Sequence, residues 1–259
     1  MCTLPLENGY FLGGNMTIFS NDTFSRIIYV RKIDLQGNDV KLYPLDIGIE
    51  KCYVTTGNSL IKTNDNNYVL IGSKGKDLEG EDMDMIAIKF NIDGEILWKH
   101  TYGTNSYEQA YGVLQTSDSG YYIYGYQYTD TTTSTFYCLK TDALGNELWH
   151  KTYSLDGSSV PFSAHELPNG DYMISGYGYH ATKDYEMYVV RTDAQGTQIW
   201  EKNYGSDFGD GAMNIIPFTN NTFIGVGTIG NNFFPAFSTN KLFISQIDNN
   251  GNMLWNKQY

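Results

Sequence analysis

"TDALGNELWHKTY", residues 141–153, sets a polar turn closed by Gly145 between a stretch that ends in Lys140 and a stretch that carries Trp149. The pattern returns as "TDAQGTQIWEKNY" at 192–204 and "IDNNGNMLWNKQY" at 247–259, and it is preceded by "FNIDGEILWKHTY" at 90–102 and a divergent "IDLQGNDVKLYPL" at 33–45. Aligned on the turn, Asp34, Asn91, Asp142, Asp193 and Asp248 form one column. Gly37, Gly94, Gly145, Gly196 and Gly251 form a second, and Lys41, Trp98, Trp149, Trp200 and Trp255 a third.

Between these hairpins lie "NGYFLGG", "NNYVLIG", "SGYYIYG", "NGDYMIS" and "NNTFIGV", each a turn followed by an aromatic-rich alternating stretch. Each unit thus offers four strands, which for the third unit are 110–116, 120–127, 136–141 and 146–153. Helical periodicity is absent. Four-stranded repeats of about 50 residues are the pattern of propeller blades, since a solenoid coil is usually half that length. The expectation is an all-β, five-bladed β-propeller with four antiparallel strands per blade. Residues 1–259 would form a single monomeric domain of units 1–53, 54–104, 105–154, 155–205 and 206–259. Segment 3–8 opens the first unit; with the second strand innermost it would instead complete the last blade.

Local chemistry explains the columns. Asp accepts backbone N–H bonds in an Asx turn, and a glycine three residues on supplies the positive φ that closes the hairpin. These acids are turn formers, since an enzyme seldom needs four copies of one site. A Trp buries on the order of 200 Å² and wants a partner for its N–H. A position wedged between neighbouring blades provides both, so Trp98, Trp149, Trp200 and Trp255 are expected to be buried at blade junctions. Lys41 in the Trp position requires one junction to pack differently. Lys32, Lys89, Lys140, Arg191 and Gln246 form a further column, read as long stems lying over neighbours with paired or solvated heads.

The "D-x-x-G-x-x-x-W" core resembles the tryptophan-docking motif of the quinoprotein-type propellers. "VRTDAQGTQIWEKNYG" with "GYYIYG" resembles the propeller repeats of secreted and surface proteins of Bacteroidetes-type bacteria, and that resemblance covers nearly the whole chain. It implies an extracellular or cell-surface protein. The first resemblance is confined to the hairpin, and without a cofactor constellation it does not imply a quinone enzyme.

Composition narrows the partners. The 259 residues are 41% hydrophobic and 18% charged, which indicates a folded chain, and 22 Tyr with 13 Phe favour strands. A net charge of −12 without a basic stripe disfavours nucleic acid. No apolar run approaches the roughly 20 residues that span a bilayer, and no cationic-then-apolar leader is present. Cys2, Cys52 and Cys138 lack metal spacing; Cys138 stands in a core column, and Cys2 reads as a strand residue rather than a lipidation site.

The connections at 15–26, 73–84, 128–135, 179–186 and 229–241 share no pattern, whereas the turns barely change, a division expected between a site-bearing face and a structural one. The variable connections carry Phe19, Phe24, Tyr128, Tyr179, Tyr185, Phe233, Phe234 and Phe237. Aromatic platforms beside Asn, Asp and Thr suit sugar rings or peptide side chains. The reading is therefore a non-catalytic recognition propeller that binds a glycan or protein through Tyr128, Tyr179, Tyr185, Phe233 and Phe234. The opposite turns look too short to shape a pocket. Two alternatives stand beside it: a glycosidase-like carbohydrate-active enzyme, which needs a carboxylate pair about 5 to 10 Å apart, and a purely structural surface repeat. His100, His150, His165 and His180 fall at unrelated places, and Glu108 and Asp210, at matching positions before strands, read as structural. The run "DLEGEDMD" supplies Asp77, Glu79, Glu81, Asp82 and Asp84. Ca²⁺ takes roughly six to eight oxygens, but no EF-hand loop is matched. A solvated acidic loop is the adopted reading, with Asp77, Glu79, Asp82 and Asp84 as calcium candidates and no other cofactor.

Overall fold

The computed structural model describes residues 1–20, 23–55, 58–76, 82–130, 132–180, 184–205, 210, 214–230 and 241–259. The described residues contain strands and one short 3₁₀ turn, Thr219–Asn221. The strands form five antiparallel sheets in sequence order. The first sheet holds β1 (Cys2–Leu6), β2 (Gly9–Ser20), β3 (Thr23–Ile33) and β4 (Asp39–Gly48). In the second, β5 (Cys52–Tyr53) and β6 (Leu60–Lys62) share the edge of β7 (Tyr68–Gly75), followed by β8 (Met83–Phe90) and β9 (Ile96–Tyr102). The third holds β10 (Glu108–Gln115), β11 (Tyr121–Tyr128), β12 (Ser134–Thr141) and β13 (Glu147–Tyr153). The fourth holds β14 (Ser159–Glu166), β15 (Tyr172–His180), β16 (Asp184–Thr192) and β17 (Gln198–Tyr204). The fifth holds β18 (Asn214–Pro217), β19 (Phe223–Ile229), β20 (Lys241–Ile247) and β21 (Met253–Gln258). Cys2–Leu6 pairs with β2, so it is the first strand of the first sheet.

The chain divides into two compact units, residues 1–127 with 139–148, and residues 128–138 with 149–259. In the first, Phe11 packs edge-on against Tyr68 at 4.9 Å, and Tyr68 stacks on Phe90 at 5.6 Å. Val30, Leu70, Ile86 and Ile88 complete this core. In the second, Met173, Met187, Val189, Ile215, Phe223 and Phe243 form the corresponding cluster. In the second, third and fourth sheets the middle two strands are largely buried on both faces, β12 throughout its length, while their fourth strands are largely exposed.

Each turn acid behaves as its residue type requires. Asp142 Oδ1 accepts the N–H groups of Leu144 and Asn146, both at 2.9 Å, and Gly145 adopts φ 83°. The same bonds recur at Asp34, Asn91, Asp193 and Asp248. The Asn146 side chain first, then these backbone donors, hold the Asp142 carboxyl below its usual range.

Within each unit the fourth strand of one sheet docks on the turn of the next. Tyr102, Tyr153 and Tyr204 donate their buried hydroxyls to the carbonyls of Gly145, Gly196 and Gly251, each at 2.7 Å. A Cβ on those glycines would fall 3.1, 2.8 and 3.1 Å from the rings of Trp98, Trp149 and Trp200. These three indoles are half-buried, and the first two also meet Tyr121 and Tyr172 edge-on. After the first sheet, where Lys41 stands for Trp, the Tyr43 ring covers Gly94 and Lys41 Nζ lies 4.9 Å above Tyr43. All four indoles fall short of the expected burial, Trp255 furthest: it is 41% exposed, and its Nε1 donates to Gln246 of its own sheet. The other three owe their cover to the turn of the sheet that follows them.

Four members of the cation column, expected to lie over neighbouring blades, instead pair within their own sheets. Lys89 meets Asp65 at 2.6 Å, Lys140 meets Asp118 at 2.9 Å and Arg191 meets Asp171 at 2.6 Å, while Gln246 donates to Thr222 at 2.8 Å. The third strand thereby clamps the turn between the first two. Cys2, Cys52 and Cys138 are buried free thiols, and burial pushes Cys2 and Cys52 up to about 11.

Candidate functional site

The connections between second and third strands are shorter than expected, because the strands run into them. Residues 15–20 belong to β2 and 23–26 to β3, so the first segment is a long hairpin rather than a loop. Near its tip Phe19 pairs across the hairpin with Phe24, and Phe19 is 79% exposed. Tyr128 is the last residue of β11, and Tyr179 and Tyr185 are directly paired in β15 and β16. All three are half-buried strand residues. Phe233, Phe234 and Phe237 lie outside the described residues.

A bulge organises the aromatic surface of the fourth sheet. The register of β14 against β15 shifts between Pro161 and Ser163, leaving Phe162 as the extra residue. A bulge re-aims the side chain it carries. Phe162 is 40% exposed and lies 5.7 Å from Tyr177, which meets Tyr185 edge-on at 5.4 Å, and Tyr185 meets Tyr179 edge-on at 5.6 Å. The backbone of Gly157 passes beneath Tyr179, where a Cβ would fall 2.6 Å from the ring. Four rings thus form one partly exposed aromatic surface, inside the second unit.

The third sheet repeats the device within the first unit. Its register shifts between Ala110 and Gly112, so Tyr111 is the extra residue, 5.8 Å from Tyr126, which stacks on Tyr107 at 6.4 Å. Gln109 Oε1 accepts from the Tyr126 hydroxyl at 2.6 Å and from that of Tyr107 at 3.3 Å. The signal in the sequence is "GYQY" at 125–128 against "GYGY" at 176–179. Tyr128 and Tyr179 therefore occupy equivalent places, although the connections that follow them differ.

A second cluster is acidic. One ligating oxygen from each of Asp82, Asp84 and Glu108 lies within 4.8 Å of the others. Lys76 Nζ sits among them, 3.1 Å from each Asp82 oxygen and 3.0 Å from Asp84 Oδ1. Glu108 is fully buried. Its Oε1 accepts from Thr104 Oγ1 at 2.6 Å and Gln127 Nε2 at 2.7 Å. Burial pushes its carboxyl above the usual range, against the bonds from Thr104 and Gln127. Asp77, Glu79 and Glu81 lie outside the described residues. Glu108, read as structural, is the member that spacing could not associate with the acidic run.

The short-turn side does shape a pocket, contrary to expectation. A cavity of about 210 Å³ opens among Leu167, Pro168, Pro217, Phe218, Asn221 and Arg191. Pro217 closes β18 beside the 3₁₀ turn at Thr219–Asn221, and Pro168 follows Leu167 after β14. Arg191 is consumed there, with Nε and Nη2 on Asp171 at 3.1 and 2.6 Å and Nη1 on the Asn249 carbonyl at 2.7 Å. His100 bonds the Leu144 carbonyl at 3.1 Å, and burial pushes His165 below its ordinary range.

No protein-family model matches the chain, and no curated protein matches it in sequence. Solved structures do. The subtype N10 neuraminidase-like protein of a little yellow-shouldered bat isolate is 9% identical, with a TM-score of 0.51 over 98% of this chain and 87% of that one. A DUF4221 family member from Bacteroides vulgatus is 11% identical over 100% and 84%, with a TM-score of 0.45. A GH43 endo-arabinanase from Bacillus licheniformis is 10% identical over 98% and 96%, with a TM-score of 0.43. At such identities likeness carries the fold alone. The chain has an all-β fold of the propeller type, and no helix among its described residues is long and apolar enough to cross a membrane.

Proposed function

We propose that this chain is a non-catalytic recognition module, a five-bladed propeller whose five sheets are its blades, and that it binds a glycan. The observation that carries this reading is the aromatic surface of Phe162, Tyr177, Tyr179 and Tyr185. Its rings touch in edge-on and tilted pairs and stay partly open to solvent. Such a surface offers apolar faces for a sugar ring, with hydroxyl groups at its margin to orient it. A neuraminidase-like protein among the structural neighbours is in keeping with a carbohydrate ligand. Tyr128 belongs to the same reading through its equivalence to Tyr179, and Phe233 and Phe234 are proposed as further contacts. In this reading the module acts as a monomer, and it works outside the cell, the location that its resemblance to surface propeller repeats implies.

The glycosidase alternative is favoured by one observation, the proximity of Asp84 and Glu108. A substrate must reach a catalytic acid, however, and Glu108 has no exposed surface. A glycan array on the purified chain tests the reading. Phe162→Ala, Tyr179→Ala and Tyr185→Ala should each weaken the captured glycan roughly thirtyfold, the equivalent of about 2 kcal/mol, with the thermal midpoint unchanged. Hydrolysis of any arrayed glycan, or wild-type affinity in all three variants, would refute it.

A further inference from the structure

The acidic cluster of the first unit holds a feature that ion pairing leaves unexplained. Glu108 Oε2 is buried without a hydrogen-bond partner among the described residues. Asp84 Oδ1 is likewise buried, and Lys76 approaches it at 3.0 Å, outside hydrogen-bonding geometry. Both oxygens close on Gly103, where a Cβ would fall 1.9 Å from Asp84 Oδ1 and 2.8 Å from Glu108 Oε2. Any side chain at 103 would push the carboxylates apart. Buried acceptors are nearly always satisfied, so a carboxylate oxygen left bare in this way calls for a partner, a role that a cation among the other carboxylates can fill.

Lys76 Nζ shows where a cation sits. It is held by both Asp82 oxygens at 3.1 Å, by Asp84 Oδ1 at 3.0 Å and by the Thr104 carbonyl at 2.5 Å. One ammonium opposes three carboxylates, and its side chain is 36% exposed, so it can withdraw to solvent. Two oxygens from Asp82, with one each from Asp84, Glu108 and Thr104, make five hard donors. No nitrogen or sulfur ligand is among them. A mixture of carboxylates and a backbone carbonyl suits the irregular shell of Ca²⁺, completed by water, better than the strict octahedron of Mg²⁺.

We propose that Asp82, Asp84, Glu108 and the Thr104 carbonyl form a Ca²⁺ site in which the ion displaces Lys76. The ion joins the hairpin end of the second sheet to the first strand of the third.

Isothermal titration of EDTA-treated full-length chain with CaCl₂ and MgCl₂ tests this. The expected result is one Ca²⁺ per chain with a Kd of about 0.1–1 mM and weaker Mg²⁺ binding. Thermal unfolding at a hundredfold excess of Ca²⁺ over Kd should then rise by about 5–10 °C. Lys76→Met should bind Ca²⁺ at least tenfold more tightly, because the competing ammonium is gone. Glu108→Gln and Asp82→Asn should each bind at least tenfold more weakly; Asp82 is partly exposed, so its variant reads the site even if Glu108→Gln folds poorly. No saturable binding by the wild type up to about 10 mM overturns the proposal. Binding by Lys76→Met alone also overturns it, by making Lys76 the native counter-ion. So does wild-type affinity in both acid variants.

Discussion

Gly196→Ala and Gly37→Ala together isolate what sheet-to-sheet docking contributes. Both glycines close the same Asx turn in the left-handed region, at φ 76° and 85°, where an L side chain costs about 1–2 kcal/mol. They differ in what a methyl group meets. At Gly37 nothing lies within 4 Å, whereas at Gly196 the Cβ would fall 2.8 Å from Trp149 Cζ3 and 2.9 Å from Lys151 Cγ. Trp149 is held in turn by Tyr172, so the indole cannot give way freely. Overpacking of this kind adds about 1–3 kcal/mol. Gly196→Ala should therefore unfold roughly 2–12 °C below Gly37→Ala, taking 2–4 °C per kcal/mol for a chain of this size. Thermal unfolding followed by far-ultraviolet circular dichroism gives the midpoints, and tryptophan emission reports the displaced indole. Equal midpoints for the two variants would show that Trp149 does not bear on the turn, and the docking account would fail.

Tyr153→Phe should destabilise by about 1–3 kcal/mol in urea unfolding, because it leaves the buried Gly196 carbonyl without its donor. Asp118→Asn, which strands the buried Lys140 ammonium, should cost about 1–2 kcal/mol more than Lys140→Met, which removes it; the partly exposed acid keeps this below the value for a fully buried pair. Asp46 bridges Lys74 at 2.7 Å and Lys99 at 2.6 Å. Burial alone would raise its pKa, but these hydrogen bonds outweigh it and hold the carboxyl below 3.8. Its contribution is therefore complete above that value and lost as pH falls through the lower folded pKa, so wild type should lose stability below about pH 4 relative to Asp46→Asn, whose acid limb is flatter. A parallel pH profile for the two proteins would contradict that assignment.

Interactions that close within a few residues could be read without coordinates. Asp142 reaches Asn146, Gly145 sits at the single position that needs positive φ, and the alternating stretches around them pair with the nearest strand, so the sheets and their turns follow from the repeat. What escaped was set across sheets. Trp200 and Trp255 stand in near-identical local sequence, yet one is covered by the Gly251 turn and the other is exposed, because the cover comes from a different sheet. Phe162 and Tyr111 look like ordinary strand residues until a one-residue register shift turns them outward, and that shift depends on the pairing of two strands rather than on either alone. Glu108 lies 24 residues beyond Asp84 (108 − 84 = 24), and the two meet over Gly103 when the second and third sheets pack. Residue type and spacing thus determined the strands, the turns and the likeness of the units, since those are held by short-range hydrogen bonds. Which side chains converge, and which stay open to a ligand, was decided by packing between sheets, where contact distance bears no relation to distance along the chain.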